Sequence, residues 1–341
     1  METKIFKPQS EADIQLDKAA EMLKNGGIVA IPTETVYGLA GNALDKKCAE
    51  KIFAAKGRPS DNPLIVHISN ISQWNDLVKT IPQAALDLAE KFWPGPLTII
   101  LPKSDRIPDE VSGGLPTVGV RMPANKIARA IIEKAGVPLA APSANTSGKP
   151  SPTTAQHVIE DLFGKIDAIV DSGSCDVGVE STVISLAMTP PRLFRPGGIT
   201  PKMLTEVLGE IEIDNAVFNK LADGTEAPSP GMKYKHYSPE AQVLMIKGSF
   251  ENYKKFTTEN ASDGAYCLCF EGEENELSLP SVTYGKKDDP ASQAKHIFDS
   301  LRQLDKLGAK KVFARFPEND GVGLAVFNRL IRASAFNLIE V

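Results

Sequence analysis

The chain has 341 residues, enough for two domains that each bury a core of their own. Hydrophobic residues make up 42% and charged residues 24%, which excludes a disordered, collagen-like or coiled-coil chain. The formal net charge is 38 minus 43, or −5. The acidic excess is spread evenly along the sequence, without the basic stripe that nucleic-acid binders use to neutralise phosphates, so a long polynucleotide is not the expected substrate.

Targeting and metal signals are missing from the sequence. No apolar run approaches the roughly 20 residues that span a bilayer, and the first residues lack the apolar region of a secretory signal. We therefore expect a cytoplasmic protein that does not contact a membrane. The 4 cysteines have no Cys-x-x-Cys spacing and the 4 histidines are scattered, so we expect buried free thiols and no side-chain metal site.

The first two thirds of the chain alternate between amphipathic stretches and short β-branched runs, which is typical of an α/β domain. Long Pro/Gly loops join the runs, and this favours a curved, mixed sheet. Helices are predicted over residues 12–25, 45–56, 82–92, 126–135 and 153–163. Strands are predicted over residues 27–31, 64–68, 97–101, 118–121, 137–141, 168–170 and 182–186.

Turn residues accumulate over residues 213–239, which indicates a linker. After the linker, strand and helix patterns alternate strictly, as in a small parallel α/β (Rossmann-like) fold. We therefore predict an N-terminal domain over residues 1–212 and a C-terminal α/β domain over residues 240–341. The C-terminal strands are predicted at 241–246, 265–270 and 311–314, and its helices at 250–259, 292–307 and 323–333.

The common nucleotide-binding fingerprints are absent. No predicted strand is followed by G-x-G-x-x-G, and no G-x-x-x-x-G-K-[ST] occurs. The nearest piece, residues 147–151, lacks the leading glycine and contains a proline that removes an amide donor. A bound nucleotide would therefore need another architecture.

Polar loops instead lie next to predicted strands, where open α/β sheets bind ligands. Residues 32–39 read PTETVYGL, which is also consistent with a polar turn and a satisfied glutamate. In residues 55–64, Lys56 and Arg58 flank a glycine and can converge on phosphate or carboxylate oxygens. A solvated charge pair at a helix end explains them equally well. His67, taken alone, fits a hydrogen-bonded core histidine better than a catalyst.

Other groups suited to anions come later in the chain. The stiff loop over residues 138–152 runs into a capping-box pattern at 153–156, so Ser151 and the following amides could hold a phosphate, although simple capping is an alternative. Arg121 and Arg195 each end an apolar strand, where a guanidinium must find an anion or reach solvent. With Lys56 and Arg58, they suit the binding of polyphosphate plus carboxylate.

Seven ordered blocks between Gly26 and Gly198 closely resemble the YrdC-type threonylcarbamoyl-AMP synthases. These blocks are PTETVYGL, KGRPSDNPL with IVHI, FWPGPLT, VGVRMP, PLAAPSANTSGKPSPT, VESTVI and LFRPGG. The linker SPGMKYKHY and the C-terminal domain resemble the longer, two-domain members of that family.

The resemblance implies a curved α/β domain with a deep cavity that binds L-threonine, bicarbonate and ATP with Mg²⁺. The implied products are threonylcarbamoyl-AMP and pyrophosphate. A separate transferase complex would then carry the group to the adenosine beside the anticodon of tRNA, so the first step does not require contact with tRNA.

The resemblance also assigns roles to individual residues. It places Lys56 and Arg58 in catalysis. It assigns L-threonine binding to Thr35, His67, Arg121 and Ser181. It assigns ATP binding to Arg58, Asn62, Thr117, Ser143, Asn145, Ser151 and Arg195. Our hypothesis for the linker is a water-excluding lid, the alternative being a surface-packed segment; its residues are Gly231, Tyr234, His236 and Tyr237.

Two rival functions use related domains. A module that binds RNA or a regulator disagrees with the even acidic charge and with the intact Lys56, Arg58, Ser143 and Asn145. Carbamoyl transfer in hydrogenase maturation uses much larger chains, whose acylphosphatase and zinc-finger segments are missing from this sequence.

Overall fold

The computed structural model describes residues 2–220, 229–230, 232 and 237–341. In this part of the chain, the N-terminal region contains strands β1 to β11 and helices α1 to α7. The strands are Lys4–Phe6, Val29–Ile31, Gly38–Asn42, Ile65–His67, Leu97–Pro102, Thr117–Arg121, Leu139–Ala140, Ala168–Val170, Thr182–Ser185, Arg192–Arg195 and Glu212–Ile213. The helices are Ile14–Lys24, Lys46–Lys56, Gln83–Phe92, Asp109–Ser112, Lys126–Ala135, Ala155–Leu162 and Pro201–Leu208.

These strands form one sheet in the order β1-β8-β2-β3-β7-β4-β6-β5-β9-β10-β11. Its pairs include parallel ones, such as β4 with β6, and antiparallel ones, such as β5 with β6. The predicted mixed α/β fold is therefore confirmed. Apolar side chains pack on both faces of the sheet and bury them, with Trp74 and Trp93 in contact at 4.6 Å between ring centroids on one face.

Two helix ends shape the region of the predicted site. Helix α2 ends at Lys56 because Gly57 adopts φ 63°, a left-handed conformation that glycine reaches without strain. This leaves the Lys56 side chain buried and turns the chain toward Arg58. The helix cap lies one residue later than the predicted capping box at 153–156. Thr154 is the N-cap of α6, and its hydroxyl accepts a hydrogen bond from the amide of His157.

Three strands of this sheet were not predicted from the sequence: β1, β3 and β11. Strand β3 was missed because its sequence, GLAGN, has little β-branched character, and pairing with β2 and β7 holds it instead. Strand β10 ends at Arg195, as expected from the sequence for that arginine.

The C-terminal region contains strands β12 to β16 and helices α8 to α10. Its strands run in the order β14-β13-β15-β12-β16, and all their pairings are parallel, as predicted. Strands β14 and β16 were missed because each is a three-residue edge strand. The strands are Gln242–Lys247, Ala265–Cys269, Ser281–Thr283, Lys311–Arg315 and Leu338–Glu340, and the helices are Phe250–Glu259, Pro290–Lys306 and Gly323–Ala333.

Helix α10 joins the two regions. All of its residues are buried, including the polar Asn328, Arg329 and Arg332. A helix that is buried all round lies inside the protein rather than on its surface. No helix in the described ranges is both long and apolar enough to cross a membrane. The domain boundaries given above stay a prediction.

Gly197 allows the loop after β10 to lie directly against the start of β9. A Cβ atom at this position would lie 2.4 Å from the amide nitrogen of Thr182 and 2.7 Å from the carbonyl oxygen of Glu180. We predict that Gly197→Ala lowers the free energy of unfolding by about 1–3 kcal/mol, since backbone atoms must move apart. Urea denaturation measures this.

The neighbouring Gly198→Ala is the matched control for this prediction. The nearest atoms to its Cβ would be side-chain atoms, Cγ of Pro96 at 3.3 Å and Cγ1 of Val177 at 3.5 Å, and not backbone atoms. It should cost less than Gly197→Ala, and equal losses for the two variants would contradict the close backbone approach.

Candidate active site

A small, partly enclosed cavity lies where the ends of β4, β6 and β10 meet the loops after β2 and β7. About 60 Å³ of it is accessible to the centres of water-sized molecules, which is far less than a nucleotide site of about 300 Å³ or more. The structure brings several of the predicted residues together around it. These are Thr35, Arg58, His67, Arg121, Ser143, Ser181, Arg195 and Tyr237.

His67 and Arg121 are register neighbours on the parallel strands β4 and β6. His67 is buried, and its Nδ1 lies 3.2 Å from the carbonyl oxygen of Ile65. Burial and the nearby Arg121 guanidinium lower the pKa of His67 to about 3. The imidazole is therefore neutral near pH 7 and offers the cavity polar atoms without a charge.

Arg121 is held from three sides. Its Nη2 forms an ion pair with Oε1 of Glu34 at 2.6 Å, and its Nη1 and Nε donate hydrogen bonds to Thr35 Oγ1 and the carbonyl of Gly95. Burial alone would raise the pKa of Glu34, but Arg121 outweighs burial and holds this pKa below its usual value. Glu34 is thus the charged partner that fixes Arg121 at the cavity wall.

Arg195 organises the start of β9. Its Nε donates to the carbonyl of Ser181 at 3.0 Å, and its Nη2 donates to the Ser181 hydroxyl at 3.1 Å. The same hydroxyl lies 2.8 Å from Oγ1 of Thr98. The Ser181 side chain therefore has a defined orientation where it lines the cavity.

Lys56 lies behind the cavity wall instead of lining it. Its Nζ donates to the carbonyl oxygens of Ser143 and Asn145, and it also lies 3.4 Å from Oδ1 of Asn145. The Asn145 amide in turn donates to the carbonyls of Thr146 and Lys149. Burial and the nearby Arg58 lower the pKa of Lys56 well below its usual value. In this structure the lysine shapes the loop that presents Ser143.

Three predicted nucleotide contacts cluster around the strand that bears His67. Arg58 lines the cavity, and its Nη2 donates to the carbonyl of Pro63 at 3.5 Å. Asn62 is fully buried, yet neither atom of its side-chain amide has a hydrogen-bond partner within the described residues. Such a group costs about 1–3 kcal/mol, which indicates a polar partner outside the protein. Thr117 lines a smaller adjoining cavity.

Ser151 reaches the cavity only through another residue. Its hydroxyl donates to Oε1 of Glu180, a buried carboxylate at the cavity wall. The other oxygen, Oε2, accepts a hydrogen bond from Nε of Arg329 on α10. The C-terminal region therefore contacts the site directly.

Pro230 and Tyr237 bring the predicted linker to the cavity, because both line it. Tyr237 is buried at φ 62° and packs on Phe298, with ring centroids 5.2 Å apart. Of the other predicted lid residues, Gly231, Tyr234 and His236 lie outside the described residues.

Glu180 and Arg329 were not predicted as site residues, and Glu34 was interpreted only as a turn residue. One signal was available for Arg329: it interrupts the apolar sequence GLAVFNRLIRA, and a buried guanidinium needs an acceptor. Nothing in the sequence identifies that acceptor as Glu180, which lies 149 residues away.

Comparisons with known proteins agree with this architecture. Residues 21–197 match the Sua5_yciO_yrdC family, described as "Telomere recombination", and residues 199–335 match the family "Threonylcarbamoyl-AMP synthase, C-terminal domain". The chain is 46% identical to a threonylcarbamoyl-AMP synthase of Pyrococcus abyssi, over 95% of each chain. It is 45% identical to that of Bacillus subtilis, over 97% of this chain and 96% of the other.

A solved structure extends the comparison to the fold. The crystal structure of P. abyssi Sua5 complexed with L-threonine superposes with a TM-score of 0.91 at 44% identity and covers both chains completely. The fold and cavity thus define a two-domain α/β enzyme. The chain belongs to the Sua5/YrdC/YciO family, in its two-domain threonylcarbamoyl-AMP synthase form.

The buried pair of Arg121 and Glu34 predicts a stability pattern. Arg121→Met should cost about 3–5 kcal/mol of unfolding free energy, because Glu34 is left buried without its counter-ion. Adding Glu34→Gln should recover part of that loss in urea denaturation. As a control, Lys91→Met removes an exposed pair with Glu206 and should change stability by about 1 kcal/mol or less. No recovery in the double variant would contradict the pairing.

His67 predicts a pH dependence of stability. Its pKa falls from 6.5 in the unfolded chain to about 3 in the fold, so between these values the unfolded chain binds the extra proton. Stability should therefore fall as the pH drops, by about 2 kcal/mol from this residue between pH 7 and pH 5. Comparing wild type with His67→Gln by urea denaturation at both pH values isolates the contribution. Identical pH dependence would contradict a buried, neutral His67.

Proposed function

We propose that this chain makes L-threonylcarbamoyl-AMP from L-threonine, bicarbonate and ATP, with release of pyrophosphate. The observation that carries the proposal is the convergence of Arg58, Arg121 and Arg195 on one small cavity. Guanidinium groups match the geometry of carboxylate and phosphate oxygens, and these substrates bring both kinds of anion. The relative from P. abyssi, which was crystallised with L-threonine, supports threonine as one of them.

The proposed reaction needs charge and position more than a general base. The threonine nitrogen bonds to the bicarbonate carbon with loss of water, giving a carbamate. A carbamate oxygen then attacks the α-phosphate, and the bond to the β-phosphate breaks to release pyrophosphate. Arginines fixed in advance stabilise the charge that builds on the phosphate oxygens. Arg121 would hold the threonine carboxylate, with Thr35, His67 and Ser181 around the rest of the molecule.

ATP would lie along the predicted residues Arg58, Asn62, Thr117, Ser143, Asn145, Ser151 and Arg195. The unpartnered amide of Asn62 supports a polar ligand at this position. Mg²⁺ would arrive with the ATP phosphates. The carboxylates of Glu34 and Glu180 are already engaged by arginines, so neither is a ready ligand for the ion.

The product would serve the N6-threonylcarbamoyladenosine modification of tRNA next to the anticodon, through a separate transferase complex in the cytoplasm. Pro230 and Tyr237 at the cavity support a linker that excludes water from the hydrolysable adenylate. The small size of the cavity fits a wall, including Pro230 and Tyr237, that opens when substrates enter.

The test is pyrophosphate release from ATP with each cosubstrate omitted in turn, followed by mass detection of the adenylate. We predict release that requires both L-threonine and bicarbonate. Arg58→Ala should reduce the rate of pyrophosphate release by about a hundredfold or more, because the charge on the phosphate loses the guanidinium that stabilises it. Arg106→Ala, which removes an exposed pair with Asp76, is the control and should keep wild-type activity. Release that ignores threonine, or no release, would contradict the proposal.

A further inference from the structure

A buried arginine of the C-terminal region completes the wall of the active site. Arg329 lies on α10, and its side chain has no solvent exposure. Its Nε donates to Oε2 of Glu180 at 2.8 Å. Its Nη1 donates to the carbonyl of Pro196 at 3.0 Å, and its Nη2 lies 3.3 Å from the carbonyl of Glu180. One planar group thus connects Glu180, in the segment just before β9, with Pro196 in the loop after β10.

Glu180 links Arg329 to Ser151 by hydrogen bonds. Its Oε1 accepts the Ser151 hydroxyl while its Oε2 is held by Arg329. Glu180 therefore has two fixed oxygens and cannot rotate without breaking one of these bonds. Ser151 lies at the end of the loop that also carries Ser143, so a change at Arg329 reaches that loop through one intervening side chain.

A second arginine of the C-terminal region binds the loop that carries Ser143 and Ser151. Arg302 on α9 is buried, and its Nη2 donates to the carbonyl of Pro150 at 2.6 Å and to Oδ2 of Asp161 at 2.8 Å. Asp161 in turn accepts the amide of Thr146. The segment from Thr146 to Ser151 is therefore held between Arg302 at one side and the Glu180–Arg329 pair at the other.

We propose that Arg329 is a positioning residue for ATP: it holds Glu180 so that Ser151 and its loop keep the orientation that the nucleotide requires. The inference rests on the proposed function, in which Ser151 contacts ATP. The alternative is a buried ion pair that only stabilises the fold. Under the proposal the C-terminal region takes part in substrate binding through a named side chain.

The charges around Glu180 predict that activity without Arg329 depends on pH. Arg329 and Arg195 are the cations near Glu180, and Lys56 and Tyr237 are the other titratable groups beside it. Burial alone would raise the pKa of Glu180, but Arg329 and Arg195 outweigh burial and hold it below its usual value. Without Arg329 the carboxyl would take up a proton at higher pH, and its bond with Ser151 would change.

The experiment compares Arg329→Met and Arg329→Lys with Arg315→Met in the full-length chain. Arg315 forms a buried pair with Glu273 inside the C-terminal region, with N–O contacts of 3.0–3.1 Å, so it controls for the loss of a buried Arg–Glu pair. Initial rates of pyrophosphate release give KM for ATP, KM for threonine and kcat from pH 6 to 9. Thermal unfolding of each variant gives its Tm.

We expect Arg329→Met to raise KM for ATP by about tenfold to a hundredfold, because a small misplacement of binding groups is costly. Activity of this variant should also fall as the pH decreases, over a range where wild type is constant. Arg329→Lys should recover the pH profile better than the KM for ATP, since lysine restores the positive charge but not the planar, forked donor geometry of the guanidinium. Arg315→Met should lower Tm and leave the kinetics unchanged.

Wild-type KM for ATP and pH profile in folded Arg329→Met would overturn the proposal. Loss of activity in Arg329→Met and Arg315→Met in proportion to their Tm would overturn it as well, in favour of a stabilising pair. Failure of the proposed function is distinguishable, because wild type itself would then release no threonine-dependent pyrophosphate. In that case the affinity of wild type and Arg329→Met for a non-hydrolysable ATP analogue, measured by calorimetry, decides the role of Arg329.

Discussion

The balance of buried charge governs the site. Arg121 and Arg195 end strands inside the protein, and a cation in that position requires compensation. Glu34 and Glu180 provide it from the loops beside the cavity. Because Arg58 and Arg329 add further positive charge, the described site retains a surplus of cations. That surplus suits substrates that arrive as anions, and it explains why the arginines can stay fixed before a substrate binds.

The same charge balance ties the two parts of the chain together. Helix α10 is buried on all sides, so the C-terminal region is not a loosely tethered module. Its arginine neutralises Glu180, and Glu180 orients Ser151. Helix α10 also packs against α9 and against β12 of the parallel sheet, which holds the helix in place.

Much of this was accessible from the sequence. The alternation of β-branched runs and amphipathic stretches predicted both α/β regions. Polar loops next to predicted strands, together with the family resemblance, supplied Thr35, Arg58, Ser143 and Ser181, which line one cavity. These predictions work because local patterns decide where strands end and sheet topology gathers those ends. Lys56 differs from these residues because it does not line the cavity. Its role in catalysis stays a prediction, and its side chain donates to loop carbonyls.

What the sequence could not predict depends on contacts between distant segments. Strand β3 forms through its neighbours rather than through its composition. The partnership of Glu180 with Arg329 needs the docking of α10, which no local pattern encodes. The parallel α/β fold of the C-terminal region could be predicted, but the residues through which that region contacts the site could not.

The contact between Arg329 and Glu180 also limits how such a protein can be recombined. A chimera that joins this N-terminal domain to a C-terminal domain from another source inherits Glu180 without a guarantee of its partner. Unless the new helix places a cation at the same point, a carboxylate is left buried and uncompensated. The two domains are therefore exchangeable only as a matched set, although each has its own sheet and core.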